Sequence, residues 1–361
     1  MKKKWLVFLA VLCFLFPAAA LASEDDGDKV YQLLDPQGET VTYFAGTPET
    51  GDEYIGGDNR HYRVGQIDHE SQIARMEALG AYSMPDVNWA LESALPVSAV
   101  KKAVALYCTH SDESYEPTDG SSSLEKRGGI YDVAERLKAA LEKEGVTVYY
   151  SSENHYPHDA GAYRRSRATA ASLAEEGVDA IFDIHRDGIP DASQYESQVD
   201  GEEVTKVRLL VGRSNQNAEA NKQFAAQIKA VADKLYPGLV KDIYIGKGTY
   251  NQDLMSQAVL LEFGTHKSDK NEVLASTAYM ANVLNRTLYG GVTGAAGDGK
   301  SAAQKNTGGW AGIAWLAGAL VIGVFIYALA ASGNGKIALQ KWKRSFQEMS
   351  GGLLGGRRKD E

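Results

Sequence analysis

Short apolar runs alternate with segments of helical periodicity along residues 101–289, and this alternation limits the possible folds more than any other feature. We expect strands at residues 103–108, 146–150, 179–184, 204–212 and 258–263, and helices at residues 130–144, 162–176, 218–235 and 271–288. A helix between two strands is typical of parallel pairing, because it returns the chain to the same end of the sheet. The pattern therefore predicts an α/β domain with a mixed, largely parallel sheet flanked by helices.

Smaller segments flank this domain. Residues 29–75 contain short β-like runs separated by turn signals such as Asp35-Pro36-Gln37-Gly38, which predicts a small β module. Residues 76–100 are interrupted by Pro85 and Pro96 and are expected to form a connecting segment. Residues 290–309 are rich in glycine, alanine and serine, which favours a flexible linker.

The two ends of the chain predict a membrane topology. Residues 1–22 combine three lysines, an apolar run and an Ala-Leu-Ala end, as in a cleaved signal peptide; a retained anchor is the alternative. Residues 310–331 carry no charge and are long enough for a transmembrane helix, with a buried core helix as the alternative. The basic segment 332–361 is then expected in the cytoplasm. We therefore expect a single-pass protein of the cell membrane with its α/β domain outside the cytoplasm.

Composition excludes several classes of protein. Hydrophobic residues make up 44% and charged residues 24% of the chain, which excludes a mostly disordered or fibrous protein. The net charge is −9 although both ends are basic, so the acidic middle offers no surface for nucleic acid. Cys13 would leave with the signal peptide, so no internal disulfide is expected. Cys108 is interpreted as a small buried hydrophobe, with a catalytic nucleophile as the alternative.

Candidate functional residues follow three predicted strands. In an open α/β sheet, ligands bind outside the carboxyl ends of the strands. His110, His185 and Glu262 lie at such ends, and Glu113 follows His110 by three residues. Two imidazoles and a carboxylate suit Zn²⁺ with an open fourth position. We predict that His110, Glu113 and His185 bind zinc, with Glu125, just before the next helix, as the alternative third ligand.

The remaining polar residues at these strand ends suggest a hydrolytic site. Glu262 is predicted to be the general base, which takes a proton from zinc-bound water and passes it to the leaving amine. Arg186 could hold a substrate carboxylate or an oxyanion. Asp183 and Asp187 flank His185 and could orient its ring.

Other polar motifs have simpler interpretations. His155 and His158 form an H-x-x-H pair in a loop and are interpreted as surface or substrate-rim residues. His266 is interpreted as a solvated loop residue or a substrate contact. The stretch Tyr250-Asn251-Gln252-Asp253 is either a polar turn or part of a cleft.

Five motifs in this order closely resemble the sporulation stage II protein P family over residues 100–288: Thr109-His110-Ser111-Asp112-Glu113-Ser114-Tyr115, Asp183-Ile184-His185-Arg186-Asp187, Tyr236-Pro237-Gly238, Tyr250-Asn251-Gln252-Asp253 and Leu261-Glu262-Phe263-Gly264. That family is similar to zinc-dependent N-acetylmuramoyl-L-alanine amidases. The resemblance implies an amidase-like or zinc-exopeptidase-like fold, with His110 and His185 as zinc ligands and Glu262 as the catalytic carboxylate. Glu113 matches the family's acidic position after the first histidine.

The resemblance also implies a substrate and a setting. The substrate is peptidoglycan, cut between the lactyl group of N-acetylmuramic acid and L-alanine; some members also cut cross-linked stem peptides. The setting is septal wall remodelling during engulfment in a Gram-positive spore-former, together with other wall-remodelling proteins. The founding members are anchored by an N-terminal span, whereas this chain carries its predicted span at the C-terminus and a β module ahead of the enzyme domain.

Two other functions remain open at this stage. One is a wall-binding or scaffolding protein with a degenerate site. The other is a zinc carboxypeptidase or endopeptidase acting on stem peptides with the same ligands. The leading hypothesis is a membrane-anchored zinc amidase, since no expected ligand or base position is missing.

Overall fold

The computed structural model describes residues 29–87 and 102–290, which form an α/β fold around one mixed sheet of eleven strands. The strands are β1 (Val30–Leu34), β2 (Thr40–Ala45), β3 (Glu53–Ile55), β4 (Arg60–Asp68), β5 (Ile73–Ala81), β6 (Ala103–Tyr107), β7 (Thr147–Tyr150), β8 (Ala180–Asp187), β9 (Glu196–Val199), β10 (Glu202–Thr205), β11 (Val207–Gly212), β12 (Val240–Gly246) and β13 (Ala258–Thr265). The α-helices are α1 (Glu116–Asp119), α2 (Ile130–Lys143), α3 (Ala162–Glu175), α4 (Ala218–Leu235) and α5 (Lys270–Tyr289).

The strand order in the large sheet is β2-β1-β5-β4-β3-β12-β11-β13-β8-β6-β7, and β9 and β10 form a separate hairpin. Strands β7, β6, β8 and β13 are parallel neighbours, β11 is antiparallel to β13, and β12 is parallel to β11. Strand β3 pairs antiparallel with β12, with Tyr54 opposite Tyr244. The N-terminal strands therefore extend the same sheet. They also reach further than residue 75, because β5 continues to Ala81 opposite Arg60 of β4.

The two faces of the sheet are covered differently. Alternate residues of β8, such as Phe182 and Ile184, pack with α2, α4 and α5 in the main hydrophobic core. The opposite face packs against α3 beside β6, where Ala105 meets Leu173. Further along, the same face packs against side chains of the N-terminal strands, where Leu210 and Leu260 share a cluster that includes Tyr31. On this second face, side chains of β11, β12 and β13 therefore pack against side chains of the N-terminal strands of the same sheet.

The fold expected from the sequence needs a correction at its C-terminal end. Within residues 29–87 and 102–290 there is no helix long and apolar enough to cross a bilayer, and the two longest helices, α4 and α5, carry charged residues along their length. The predicted span at 310–331 lies outside the described residues, as do the predicted signal peptide at 1–22, all but the first residue of the linker at 290–309 and the tail at 332–361. The transmembrane helix and the single-pass location that depended on it are therefore withdrawn.

Candidate metal centre and active-site cleft

Four ionisable residues form a row across adjacent strands of the sheet. His185 of β8 is in register with Glu262 of β13, Glu262 with Arg208 of β11, and Arg208 with Asp242 of β12. The flanking residues in each strand, such as Ile184 and Leu261, pack into the core on the opposite face. Because side chains alternate along a strand, all four members of the row point to the face that also meets α3 and the N-terminal strands.

His110 is brought to this row by a carboxylate on the neighbouring strand. Asp183 of β8 accepts hydrogen bonds from the backbone nitrogen of Thr109 (2.8 Å) and from its hydroxyl (2.6 Å). These contacts fix the chain just after β6, and the next residue places its ring centroid 4.8 Å from that of His185. The Nε2 atom of His185 lies 3.0 Å from Asp183 Oδ1. Asp183 therefore contacts both the segment that carries His110 and the ring of His185.

His110, Glu113 and His185 converge on one point in the interior. Oε1 of Glu113 lies 3.3 Å from Nδ1 of His110 and 3.4 Å from Nδ1 of His185, and all three side chains are buried. The three groups offer ligand atoms within 4.8 Å of one another. Ligand atoms about 2.0–2.1 Å from a tetrahedral Zn²⁺ lie about 3.3 Å apart, so this donor set fits zinc in number, type and spacing.

The second oxygen of Glu113 and the alternative ligand Glu125 lie in different surroundings. Oε2 of Glu113 accepts a hydrogen bond from the backbone nitrogen of Arg186 (3.0 Å). Glu125 is exposed, and its carboxylate accepts from the hydroxyl of Tyr156 at 3.1 Å. The geometry thus brings Glu113, and not Glu125, to the two histidines.

The surroundings shift the pKa values of the three converging residues in different directions. Burial raises the pKa of Glu113, but His185 and the hydrogen bonds from both histidines hold it well below its usual value. Burial lowers the pKa of His110. Burial also lowers that of His185, but Asp183 and Glu113 carry its pKa well above the ordinary value. An anionic Glu113 provides the carboxylate that a divalent cation requires, and a metal bound here would displace the proton that these carboxylates favour on His185.

Glu262 differs from the buried donors because its side chain remains 14% exposed and lines the cleft. Its Oε2 atom lies 3.4 Å from the hydroxyl of Tyr195 and 3.8 Å from Nη1 of Arg208. Burial, followed by the negative charge of Asp187, raises the pKa of Glu262 to about 8. A carboxyl group that titrates near neutral pH can both accept and return a proton.

Arg186 and Asp187 occupy positions that the sequence only partly predicts. The half-buried guanidinium of Arg186 lines the cleft and donates to the backbone oxygen of Ser122 (3.1 Å). The carboxylate of Asp187 accepts from the Tyr195 hydroxyl (2.7 Å) and from Arg208 Nη1 (3.0 Å). Its side-chain partners are therefore Tyr195 and Arg208, and it is Asp183 that lies beside the ring of His185.

The two histidines of the H-x-x-H pair lie in different surroundings. His155 is buried, with Nδ1 2.8 Å from the backbone oxygen of Cys108 and Nε2 3.0 Å from the hydroxyl of Thr169, so the expectation of a surface residue is wrong. His158 lines the cleft and stacks on His110 with ring centroids 3.8 Å apart. Cys108 is itself buried, and burial raises the pKa of its thiol.

A cleft of about 880 Å³ opens over this site. One wall carries the three converging residues together with Glu262, Arg186 and His266. The other wall comes partly from the N-terminal region, through residues such as Phe44 of β2 and Glu49 of the loop that follows β2. The two walls meet closely, since a Cβ atom at Gly188 would lie 2.8 Å from the Cβ of Ala45. No motif in the sequence predicts that residues near position 45 reach this cleft.

The segment Tyr250–Asp253 is a turn that also contributes to the cleft. Tyr250 and Asn251 have φ angles of 49° and 54°, in the left-handed region. The side chain of Asn251 donates to the backbone oxygen of Tyr163 (3.0 Å), and Gln252 donates to that of Leu210 (2.9 Å). Tyr250 lines the cleft, whereas Asn251 and Gln252 are buried and brace the turn.

Comparisons with known proteins agree on one family. The family model described as Stage II sporulation protein P (SpoIIP) matches residues 55–285. Stage II sporulation protein P of Bacillus subtilis (strain 168) is 28% identical over 208 residues, which are 52% of this chain and 52% of the relative. The chain thus spans about half the length of the curated relative that it matches.

Solved structures with low overall similarity include three amidases. They are AmiC2 of Nostoc punctiforme (13% identity, 53% of this chain and 97% of that chain, TM-score 0.30), the CwlD amidase of Clostridioides difficile in complex with the GerS lipoprotein (12%, 52% and 95%, 0.34) and the catalytic domain of CwlV from Bacillus (Paenibacillus) polymyxa var. colistinus (16%, 52% and 98%, 0.31). The family match spans more than half of the sequence and includes His110, Glu113, His185 and Glu262, so this chain belongs to the Stage II sporulation protein P (SpoIIP) family.

Proposed function

We propose that this protein is a peptidoglycan hydrolase, a zinc-dependent N-acetylmuramoyl-L-alanine amidase that cleaves the amide between the lactyl group and L-alanine. The observation that carries the proposal is the convergence of His110, Glu113 and His185 beside Glu262 in one cleft. Membership of the SpoIIP family supports peptidoglycan as the substrate and sporulation as the setting.

The three converging residues would hold the metal. His110, Glu113 and His185 supply two nitrogens and one oxygen with the spacing of a tetrahedral site. Zinc bound there would polarise the scissile carbonyl and lower the pKa of its water.

Glu262 would move the proton. Its carboxylate lies on the strand next to His185 and faces the cleft, where it can take a proton from the attacking water. The same group can then deliver that proton to the amine of L-alanine as the amide bond breaks, which balances the hydrolysis.

Substrate would be held by both walls of the cleft. The guanidinium of Arg186 is fixed by its hydrogen bond to Ser122 and can pair with a carboxylate of the stem peptide. The opposite wall includes Phe44 of β2 and Glu49 of the loop between β2 and β3. A cleft of about 880 Å³ lies at the upper end of the sizes usual for sites that enclose a ligand, about 300–1,000 Å³.

The test is to incubate the full-length protein with purified sacculi and identify the products by mass spectrometry. An amidase releases stem peptides that begin with a free L-alanine amine and leaves glycan strands without peptides. The Glu262→Gln protein should retain zinc and release nothing, because Gln cannot accept the proton.

Each alternative function gives a different result in that assay. Stem peptides shortened at the carboxyl end, or cut at a cross-link, would indicate a carboxypeptidase or endopeptidase. Binding to sacculi without any released peptide would indicate a scaffolding protein. Either result from zinc-loaded, folded protein would contradict the proposed amidase activity.

A further inference from the structure

Arg208 is an arginine with no solvent exposure at the centre of the sheet, and its guanidinium is bound on every side. It pairs in a bidentate manner with Asp242, through Nε (2.7 Å) and Nη2 (3.0 Å). Nη1 donates to Asp187 (3.0 Å), and Nη2 also donates to the hydroxyl of Thr42 (3.0 Å) and the backbone oxygen of Tyr43 (3.1 Å). This planar group is therefore fixed in one orientation.

Glu262 lies close to Arg208 and to Tyr195, both of which are hydrogen-bonded to Asp187. The two residues face each other in register across β11 and β13. Nη1 of Arg208 lies 3.8 Å from Oε2 of Glu262, and the Tyr195 hydroxyl, which donates to Asp187, lies 3.4 Å from the same oxygen. Arg208, Asp187 and Tyr195 thus form one continuous surface beneath the carboxylate of Glu262.

The N-terminal hairpin β1–β2 completes this enclosure. Thr42 of β2 accepts from both Arg208 (3.0 Å) and Lys241 (2.9 Å), and Lys241 also pairs with Asp242 (2.7 Å). Thr42 lies 166 residues from Arg208 in the chain, so only the tertiary fold brings them together. Without the hairpin, two of the acceptors of Arg208 would be missing.

A buried ionic network of this kind is a weak explanation for stability. Removing charged groups from water costs several kcal/mol for each ion, and well-packed apolar residues often do as well or better. The network does, however, place a rigid and charged surface directly beside Glu262. Catalytic groups depend on such support, because a misplacement of about 1 Å can cost about 100-fold in rate.

We propose that Arg208 is a positioning residue that holds Asp187 and Tyr195 against Glu262, and that hairpin β1–β2 is part of the catalytic unit. The inference rests on the proposed role of Glu262. It extends the catalytic machinery from the metal site to hairpin β1–β2, whose Thr42 lies 166 residues before Arg208 in the chain.

The first test is Arg208→Lys in the full-length protein. Lysine keeps the charge but cannot make the forked contacts with Asp242 and Asp187. We expect kcat to fall by about 10- to 100-fold, with KM and the zinc content per chain unchanged, because the metal ligands and the cleft walls are not altered. Melting temperature, measured on the same samples, shows whether the protein is folded.

Lys222→Gln is the matched control. Lys222 of α4 pairs with Glu53 of β3 at 2.6 Å and so also ties the N-terminal strands to the rest of the fold, but it does not line the cleft. We expect this variant to keep the wild-type kcat even if its melting temperature falls. Equal losses of kcat in the two variants would mean that general destabilisation explains both, and would overturn the inference.

Thr42→Val decides the question if Arg208→Lys does not fold. Valine has the shape of threonine but accepts no hydrogen bond, so it removes one acceptor of Arg208 and Lys241. A several-fold fall in kcat at full zinc content supports the inference. An unchanged kcat in folded Arg208→Lys or Thr42→Val, with Glu262→Gln inactive, overturns it and leaves the proposed amidase intact. A fully active Glu262→Gln protein overturns both.

Discussion

Thr109 and Asp183 are joined by two hydrogen bonds, one from the backbone nitrogen of Thr109 and one from its hydroxyl, and Asp183 also lies 3.0 Å from the ring of His185. A single carboxylate thus sets the position of both histidines that converge on Glu113. Support of this kind fixes which ring nitrogen faces the metal.

The Asp183→Asn protein should bind zinc more weakly by about 10- to 100-fold, because the amide is a poorer partner for the imidazole and for the donors of Thr109. The measurement is a competition titration with a chromophoric chelator. Thr109→Val is the graded control, since it removes only the hydroxyl contact and should have the smaller effect. Wild-type affinity in Asp183→Asn would contradict a role for Asp183 in holding His185.

The proposed third zinc ligand can be tested with a pair of variants. Glu113→Gln should lose zinc, since the carboxylate lies between the two imidazoles. Glu125→Gln should keep it, because that side chain is exposed and contacts Tyr156. Zinc content by mass spectrometry after gel filtration distinguishes the two. The reverse result would show that the loop that carries Glu125 moves to the metal.

Glu262 should make the folded protein less stable as the pH rises. Its pKa is raised from 4.5 to about 8 by burial and by Asp187, so the folded state binds a proton that the unfolded state releases between these values. Protonated Glu262 therefore contributes its full share to the stability of the metal-free folded protein below pH 4.5. This contribution is lost as the pH rises through about 8.

Replacing Glu262 by glutamine removes that dependence. Relative to wild type, the Glu262→Gln protein in chelator should gain stability between about pH 5 and about pH 9, by the order of 1 kcal/mol or more. Urea unfolding at both pH values measures the difference. A stability difference that does not change with pH would mean that Glu262 titrates at its ordinary pKa.

A substitution in the N-terminal wall of the cleft should weaken substrate binding and leave metal binding unchanged. The ring of Phe44 lines the cleft and stacks on Tyr244 with centroids 4.0 Å apart, and it offers no atom that binds a metal. Phe44→Ala should raise KM for muropeptides several-fold with zinc content unchanged. An unchanged KM, with the fold intact by circular dichroism, would mean that substrate does not reach this wall.

The residues of the candidate site could be predicted from the sequence because parallel strands carry their carboxyl ends to one edge. His185 and Glu262 end two apolar runs, and the structure places them in register on adjacent strands. The choice between Glu113 and Glu125 could not be made from spacing alone, since both lie in the irregular segment after β6 and only the folded loop decides which carboxylate turns inward.

The contribution of Arg208 and of the N-terminal strands could not be predicted in this way. Arg208 interrupts an apolar strand, and a charged residue at such a position is ordinarily expected to face water. Its partners Thr42 and Asp242 lie on strands far apart in the chain, and the pairing of β3 with β12 depends on long-range contacts that no local pattern records. For the same reason His155 and His158 share one motif, yet only His158 reaches the cleft.

The pairing of β3 with β12 also decides where the chain can be shortened. A polypeptide that begins at residue 102 would leave β12 as an open edge, with the backbone groups opposite Tyr54 unpaired and ready to join another molecule. It would also expose Tyr244 and Leu210 to solvent, because both belong to a hydrophobic cluster with side chains of the N-terminal strands. A fragment for biochemistry should therefore start before Val30, even though the proposed zinc ligands and Glu262 all lie beyond residue 109.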